Sequence, residues 1–488
     1  MVKPRQTSDD RQLRLFEAEV VIPGGSGEAG SVAGPSAESV LPSASRPEDT
    51  PSAALMERIC DGDNLIRAMT KVRSNRGSCG VDGMKVSELE AWYLAHGEEL
   101  REQLLSGRYQ PQSVRGVKIP KPGGGERQLG IPTVIDRVVQ QAFLQALEPI
   151  LDPQFSDSSF GFRPGRSAHQ ALAQAQKYVA EGRIYVVDLD LEKFFDRVNH
   201  DVLMSRLSRH VRDKRVLRVI GRFLRAGMMQ DGVCIERDEG TPQGGPLSPL
   251  LANLLLDDLD KELEQRGHCF CRYADDCNIY VWSEKAGERV MASVTRFLEE
   301  GLKLRVNRLK SAVAPVWERK FLGHRLLAEG RLGIAPKSIE RFKARVVELT
   351  TRNRGISLGR MVTEVSRFLT GWVTYYRNAE CSSILDRLDG WIRRRLRCFR
   401  LKQCKRAFAM AEFLRKQGVS EQKAWMLAGS GKGWWRKSNT PQASKAMGNA
   451  WFRDIGLVNL KSRHAGLNQW KKPPDTVSTS GGVGGRGP

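Results

Sequence analysis

No apolar run in this chain is long enough to span a bilayer, and Met1-Val-Lys-Pro-Arg-Gln-Thr-Ser-Asp-Asp10 is not a signal peptide. Both absences argue against an embedded or exported protein and for a cytoplasmic one. Cysteine is scarce: nine in 488 residues, an odd number without framework spacing, which excludes a disulfide scaffold and fits reduced thiols. Cys269, Cys271 and Cys277 crowd one stretch but lack paired C-x-x-C spacing, so buried thiols explain them better than zinc. Negative charge is in deficit, with 56 Asp+Glu against 78 Lys+Arg and a formal net charge of +22. Residues 1–50 hold 5 basic and 8 acidic side chains, which leaves 73 against 48 on residues 51–488. That concentration implies a polyanionic partner held by salt-sensitive phosphate contacts. It does not separate RNA from DNA or from an anionic membrane.

Against this background, Tyr273-Ala274-Asp275-Asp276 stands out. Cys269-Phe270-Cys271-Arg272 reads as one strand and Asn278-Ile279-Tyr280-Val281-Trp282 as its return. Successive strand residues point to opposite faces, so two adjacent aspartates reach one site only at the turn of a hairpin. An isolated pair of this kind is most often a solvated turn; a third carboxylate changes that. In Ile184-Tyr-Val-Val-Asp-Leu-Asp-Leu191, alternation puts Asp188 and Asp190 on one face with Ile184 and Val186. Carboxylates near the end of such a strand, facing an acidic hairpin tip, suit a hard divalent cation completed by substrate phosphates. Phe194 and Phe195 follow, either as core or as the wall of a nucleotide pocket.

Tyr273-Ala-Asp-Asp276, Asp190-Leu-Glu-Lys-Phe-Phe-Asp196 and Gly240-Thr-Pro-Gln-Gly-Gly-Pro-Leu-Ser-Pro249 together resemble a reverse transcriptase. More narrowly they resemble the bacterial group II intron-encoded reverse transcriptase/maturases. Gly161-Phe-Arg-Pro-Gly-Arg-Ser-Ala-His169, Ile119-Pro-Lys-Pro-Gly-Gly-Gly-Glu-Arg127 and the primer-grip-like Phe321-Leu-Gly323 match further blocks in order. The resemblance runs from about residue 53 to about 460. It implies an α+β right-hand polymerase: fingers and an antiparallel β-sheet palm, then an α-helical thumb and a small DNA-binding domain.

Boundaries follow from composition and resemblance together. Residues 1–52 read as a disordered leader, since 22–52 are rich in Pro, Gly, Ser and Ala. Residues 53–110 would extend the fingers, and 111–330 would be fingers and palm. Within them a helix is expected from Pro249 to Arg266, with Leu250, Leu251, Leu254, Leu255, Leu259 and Leu263 as its stripe and Gly267 as its stop. Residues 331–410 would form the maturase thumb. There Trp391 to Arg406 places eight Lys/Arg in sixteen residues, with Ile392, Leu396, Phe399 and Leu401 interleaved. Arg393, Arg394, Arg395 and Arg397 are read as RNA contacts, as is Arg163. Residues 411–470, with Lys432-Gly-Trp-Trp-Arg-Lys437 and Trp451, resemble the family's DNA-binding domain, and 471–488 read as a disordered tail. After Cys404 there is no cysteine and only His464 remains, so the nuclease of DNA-cutting relatives is not expected. The wording of the blocks then looks most like class C.

The resemblance implies an RNA-directed DNA polymerase that copies intron RNA during retrohoming and binds the same RNA to promote splicing. Its partners would be intron RNA, a template with a DNA or RNA primer, dNTPs and target DNA, on the bacterial nucleoid and away from membranes. Two Mg²⁺ ions, or Mn²⁺, would be held by Asp190, Asp275, Asp276 and the Leu191 backbone carbonyl. Asp188, two residues off the family position, is placed as support, whereas Asp196 and Asp257-Asp258 read as structural or solvated. Lys121 and Arg127, flanking the Gly123–Gly125 turn, would contact the triphosphate, and Gln243 the nucleotide or primer end. Phe194 resembles the ring under the sugar, with Phe195 as the one-residue-off alternative, and Lys310 would protonate the leaving pyrophosphate. A diversity-generating or CRISPR-associated reverse transcriptase, or a splicing cofactor without polymerase activity, is the alternative.

Overall fold

A computed structural model describes residues 54–120, 126–230, 233–235, 239–241 and 244–469. The leader, Lys121, the Gly123–Gly125 turn, Gln243 and the tail lie outside these residues, as does the Arg127 side chain. Residues 54–322 with 326–330 gather into one compact unit, and 323–325 with 331–469 into a second.

The strands that build the first unit are β1 (Val114–Pro120), β2 (Glu126–Ile131), β3 (Tyr185–Leu189), β4 (Met228–Gln230), β5 (Val233–Ile235), β6 (Cys269–Tyr273), β7 (Asp276–Val281) and β8 (Ala312–Pro315). One sheet has the order β2-β1-β4-β5, with β1 antiparallel to β2 and parallel to β4. The other has the order β6-β7-β3-β8 and is antiparallel throughout. Its inward face carries Val187, Leu189, Phe270, Cys277 and Ile279, all buried in the main core.

Helices α1 (Gly62–Asn75), α2 (Leu89–Leu105), α3 (Val134–Leu151), α4 (Ala168–Ala180), α5 (His200–His210), α6 (Lys214–Arg225), α7 (Ser248–Gln265) and α8 (Glu284–Arg296) complete the unit. The start of α3 is fixed by Thr133, whose hydroxyl accepts the Asp136 N–H at 3.0 Å. α7 matches the expected leucine helix: Pro249 occupies its first turn, and Gly267, with φ +69°, follows its end. All six stripe leucines are buried, each worth roughly 1.5–3 kcal/mol relative to exposure.

The second unit is helical, led by α9 (Pro336–Leu349), α10 (Leu358–Tyr375) and α11 (Ser382–Gln403). Phe342, Trp372 and Tyr376 form an aromatic chain through its core, with ring centroids 4.4 and 4.6 Å apart. The Asp389 carboxylate on α11 accepts the Leu460 and Lys461 N–H groups at 2.9 and 3.1 Å, capping the helix Leu460–Gln469. Among the described residues no helix is long and apolar enough to cross a membrane.

Candidate active site

The hairpin is two residues tight. Tyr273 pairs with Asp276 across β6 and β7, so Ala274 and Asp275 alone form the turn. Ala274 adopts φ +58°, a left-handed conformation that ordinarily selects glycine. β3 runs beside β7 with Leu189 opposite Cys277 and Asp188 opposite Asn278. The ladder ends at Leu189 and Cys277, and the next residue of each strand toward the turn is Asp190 on one and Asp276 on the other; Asp190 is among the charges that raise Asp276. Directly paired residues of an antiparallel ladder share a face, so Asp188, Asp190 and Asp276 look the same way beside the turn that carries Asp275.

Asp190 is held by its backbone. Its N–H donates to the Ser311 hydroxyl at 2.9 Å, and its carbonyl accepts the Asn307 N–H at 2.8 Å. The same Asn307–Ser311 turn brings the Lys310 ammonium to 3.3 Å from Asp190 Oδ2. Arg319 clamps Asp188, its Nε donating to Oδ2 at 2.8 Å, while its other arm reaches the Lys310 carbonyl at 2.6 Å.

The electrostatics are those of gathered like charge. Burial pushes Asp276 up to about 8, and Asp188, Asp275 and Asp190 add to the rise against Lys320. Burial also raises Asp188, opposed by Arg319. Beyond its ion pair with Lys310, Asp190 Oδ2 accepts no hydrogen bond among the described residues. An all-carboxylate donor set with an under-satisfied oxygen and a proton-hungry neighbour fits a hard divalent cation. Among the described residues no three His, Cys, Asp or Glu side chains stand close enough together to hold a metal ion by themselves.

The other expected residues divide. Phe194 is 3% exposed and packs in the core, so it forms no pocket wall; the half-buried ring is Phe195, set edge-on at 5.2 Å. The Phe195 carbonyl accepts the Thr241 N–H at 2.7 Å, which ties Gly240-Thr241 to the backbone of that residue. Arg163, expected at the nucleic acid, is buried and bonded within its own unit. Its Nε and Nη2 engage Asp152, Nη1 engages the Ser156 and Ser159 carbonyls, and only 9% of the residue is exposed.

The basic helix also departs from the expectation. Arg394 lies over the Trp435 ring at 4.0 Å, and Arg395 Nε donates to the Thr350 hydroxyl at 2.6 Å. Arg397 Nη1 donates to the Ser438 carbonyl and the Ser444 hydroxyl at 3.1 and 2.8 Å. Three of the four arginines therefore bind their own unit, a guanidinium being able to donate to neutral carbonyls and to lie over ring faces as well as to pair with phosphates. Arg393 makes none of these bonds. Asp257 and Asp258 are structural as expected, the first accepting the Ser156 N–H and the second paired with Arg206.

Sequence reasoning missed Arg319 and Lys320, although the basic pair directly before Phe321-Leu-Gly323 was a visible signal. It also missed Arg272, hidden because a buried arginine reads as any strand residue.

Comparison with known proteins agrees with this geometry. The family profile described as reverse transcriptase (RNA-dependent DNA polymerase) matches residues 119–326, and the group II intron, maturase-specific domain matches residues 339–418. Protein YkfC of Escherichia coli K12 is 35% identical over 315 residues, covering 56% of this chain and 82% of that protein. The group II intron-encoded protein LtrA of Lactococcus lactis is 39% identical over 165 residues, covering 34% of this chain but only 27% of LtrA. A solved structure titled as a partial Cas6-RT-Cas1–Cas2 complex aligns at 28% identity and a TM-score of 0.34, over 50% of this chain and 42% of that one. With the aspartate hairpin in an antiparallel palm and a maturase-specific domain following it, the chain belongs to the group II intron-encoded reverse transcriptase/maturase family.

Proposed function

We propose that the chain copies intron RNA into cDNA for retrohoming, and that it binds the same RNA to promote splicing. The observation that carries the polymerase reading is the β3–β7 ladder, which ends at Leu189 opposite Cys277 and so leaves Asp190 and Asp276 as the next residues beside the Asp275 turn. In the reaction a primer 3′-hydroxyl attacks the α-phosphorus of a nucleoside triphosphate and pyrophosphate leaves. Two Mg²⁺ ions, with Mn²⁺ as the alternative, held by Asp190, Asp275, Asp276 and the Leu191 carbonyl, would activate the attacking oxygen and offset charge on the leaving one. Lys310, already beside Asp190, donates a proton to the departing pyrophosphate. Lys121 and Arg127 hold the triphosphate, and Gln243 contacts the nucleotide or primer end. Phe195 takes the place under the sugar expected of Phe194, since it is the ring with exposed surface.

Intron RNA binds to the second unit through cations outside its internal bonding, among them Lys405, Arg406, Lys432 and Arg436, all exposed. Residues 411–470 meet target DNA.

Primer extension on an RNA template with Mg²⁺ tests the reading, the parent chain beside Asp275→Asn. Synthesis by the parent and none by the variant, with intron RNA bound equally by both, is the expected result. Full synthesis by Asp275→Asn removes the site assignment, and a folded parent that makes no cDNA removes the polymerase.

A further inference from the structure

Arg272 and Asp260 are each 0% exposed, the most deeply buried ion pair of the first unit among the described residues. An arginine carries five N–H donors in a planar fork, and here five acceptor contacts meet it. Nε donates to Asp260 Oδ1 at 2.7 Å and Nη2 to Asp260 Oδ2 at 2.5 Å. Nη2 also reaches the Ser159 hydroxyl at 2.7 Å. Nη1 donates to Asn253 Oδ1 and to the Ala274 carbonyl, both at 2.9 Å. Asp260 and Asn253 both project from α7, and Ala274 is the first residue of the catalytic turn.

From its other side the turn meets bare backbone. A Cβ on Gly161 would lie 2.3 Å from the Ala274 nitrogen, so only glycine allows the approach. Asn253 Nδ2 donates to the Gly161 carbonyl at 2.8 Å. The Phe160 N–H donates to the Arg272 carbonyl, and the Arg272 N–H to the Ser158 carbonyl, both at 2.9 Å. Both sides of the turn are thus referenced to α7 through one asparagine.

Stability alone is a weak reason for such a pair, because apolar residues of similar volume often serve a fold as well or better. What apolar residues lack is a donor for the Ala274 carbonyl. That carbonyl belongs to the peptide plane whose nitrogen is Asp275's, and Ala274 sits at an unfavourable φ that persists only where its surroundings fix it.

We infer that Arg272 is a positioning residue for polymerisation: anchored on α7 by Asp260 and Asn253, it fixes the Ala274–Asp275 peptide plane and so aims the Asp275 carboxylate. The inference rests on the polymerase reading above. A misplacement of about 1 Å at a reacting group costs on the order of 10²-fold in rate.

The test is steady-state primer extension by the full chain carrying Arg272→Met with Asp260→Leu, which removes the charges together. Thermal unfolding, primer–template affinity and the Mg²⁺ concentration for half-maximal rate are measured alongside. The expected result is a folded protein that melts below the parent, since the Ala274 carbonyl and Asn253 Oδ1 lose their donor, with primer–template affinity near the parent's. Alongside, kcat falls about 10²-fold and the Mg²⁺ requirement rises severalfold. A folded double variant with kcat and Mg²⁺ requirement within twofold of the parent overturns the inference. Arg272→Lys decides the matter if the double variant does not fold: it keeps the charge against Asp260, but one ammonium cannot span Asp260, Asn253 and the Ala274 carbonyl. It should lose kcat with an unchanged affinity for primer–template, and parental kcat in a folded Arg272→Lys overturns the inference equally. Because every value is a ratio to the parent, an inactive parent would speak against the polymerase reading and not against Arg272.

Discussion

The two units handle charge in opposite ways. At the end of the palm sheet Asp188, Asp190, Asp275 and Asp276 gather, and Asp276 is driven up to about 8 as a result. On α11 the charge is dispersed, with Arg394, Arg395 and Arg397 each settled on a carbonyl, a hydroxyl or a ring of their own unit. Gathered like charge costs stability and persists for what it binds, whereas matched charge holds a fold together. Sign and density alone do not reveal function; the supply of partners does.

The largest effect should come from breaking the gathered side. Asp276→Asn should lower cDNA synthesis by about 10³-fold or more, as loss of several kcal/mol of metal-assisted stabilisation implies. The same substitution relieves repulsion, so the metal-free variant should melt higher, by roughly 2–4 °C per kcal/mol relieved. A melting temperature that falls would contradict the account of the cluster. On the aromatic pair beside it, Phe194→Ala should cost about 3–5 kcal/mol of stability as a core deletion. Phe195→Ala should leave stability nearer the parent and relax discrimination between deoxy- and ribonucleotides. Incorporation assays with both sugars separate the two, and an unchanged preference in Phe195→Ala would return the role to neither ring.

The matched side should respond differently. Arg397→Ala leaves the Ser438 carbonyl without its donor and should destabilise the second unit by about 1–3 kcal/mol, seen in chemical unfolding. RNA affinity measured on the folded protein should barely move. Arg406 is an exposed cation, and Arg406→Ala should instead reduce the salt slope of RNA binding by about 1 with little change in stability. Reversal of these two outcomes would restore the α11 arginines as the RNA surface.

The smallest effect concerns a carboxylate that lies between the two cases. Burial pushes Asp136 up to about 6, although Thr133, Tyr109 and the Gln112 N–H all donate to it. A carboxylate raised in the folded state binds its proton more tightly there than when unfolded. Its contribution is therefore fully present below about pH 4 and is lost as pH rises to about 6. Asp136→Asn should remove that slope, so its melting temperature relative to the parent should rise between about pH 4 and about pH 7. Parallel curves would show that Asp136 does not titrate in this window.

Much of the site was legible in the sequence for a physical reason. A two-residue period assigns Asp188 and Asp190 to one face, and a hairpin turn is the one place where adjacent aspartates meet. The α7 leucines were equally readable from their spacing. Phe194 and Phe195 were not separable, because a short 3₁₀ turn, Phe194–Asp196, follows the strand and alternation no longer applies. The internal partners of Arg163, Arg394, Arg395 and Arg397 were not legible, because charge in a sequence says nothing about whether carbonyls or phosphates await it. Arg272 was invisible for the converse reason: its partners lie 12 and 113 residues away, at Asp260 and Ser159.

The contact between Gly161 and the Ala274 backbone has a consequence for how this polymerase tolerates change. With no side chain between them, the spacing under the Ala274–Asp275 turn is set by the thickness of two peptide chains, a gauge that mutation has no means of adjusting finely. Variation in this protein must then accumulate around the gauge and not in it: Gly161→Ala is already a displacement of the turn, and no gentler substitution exists.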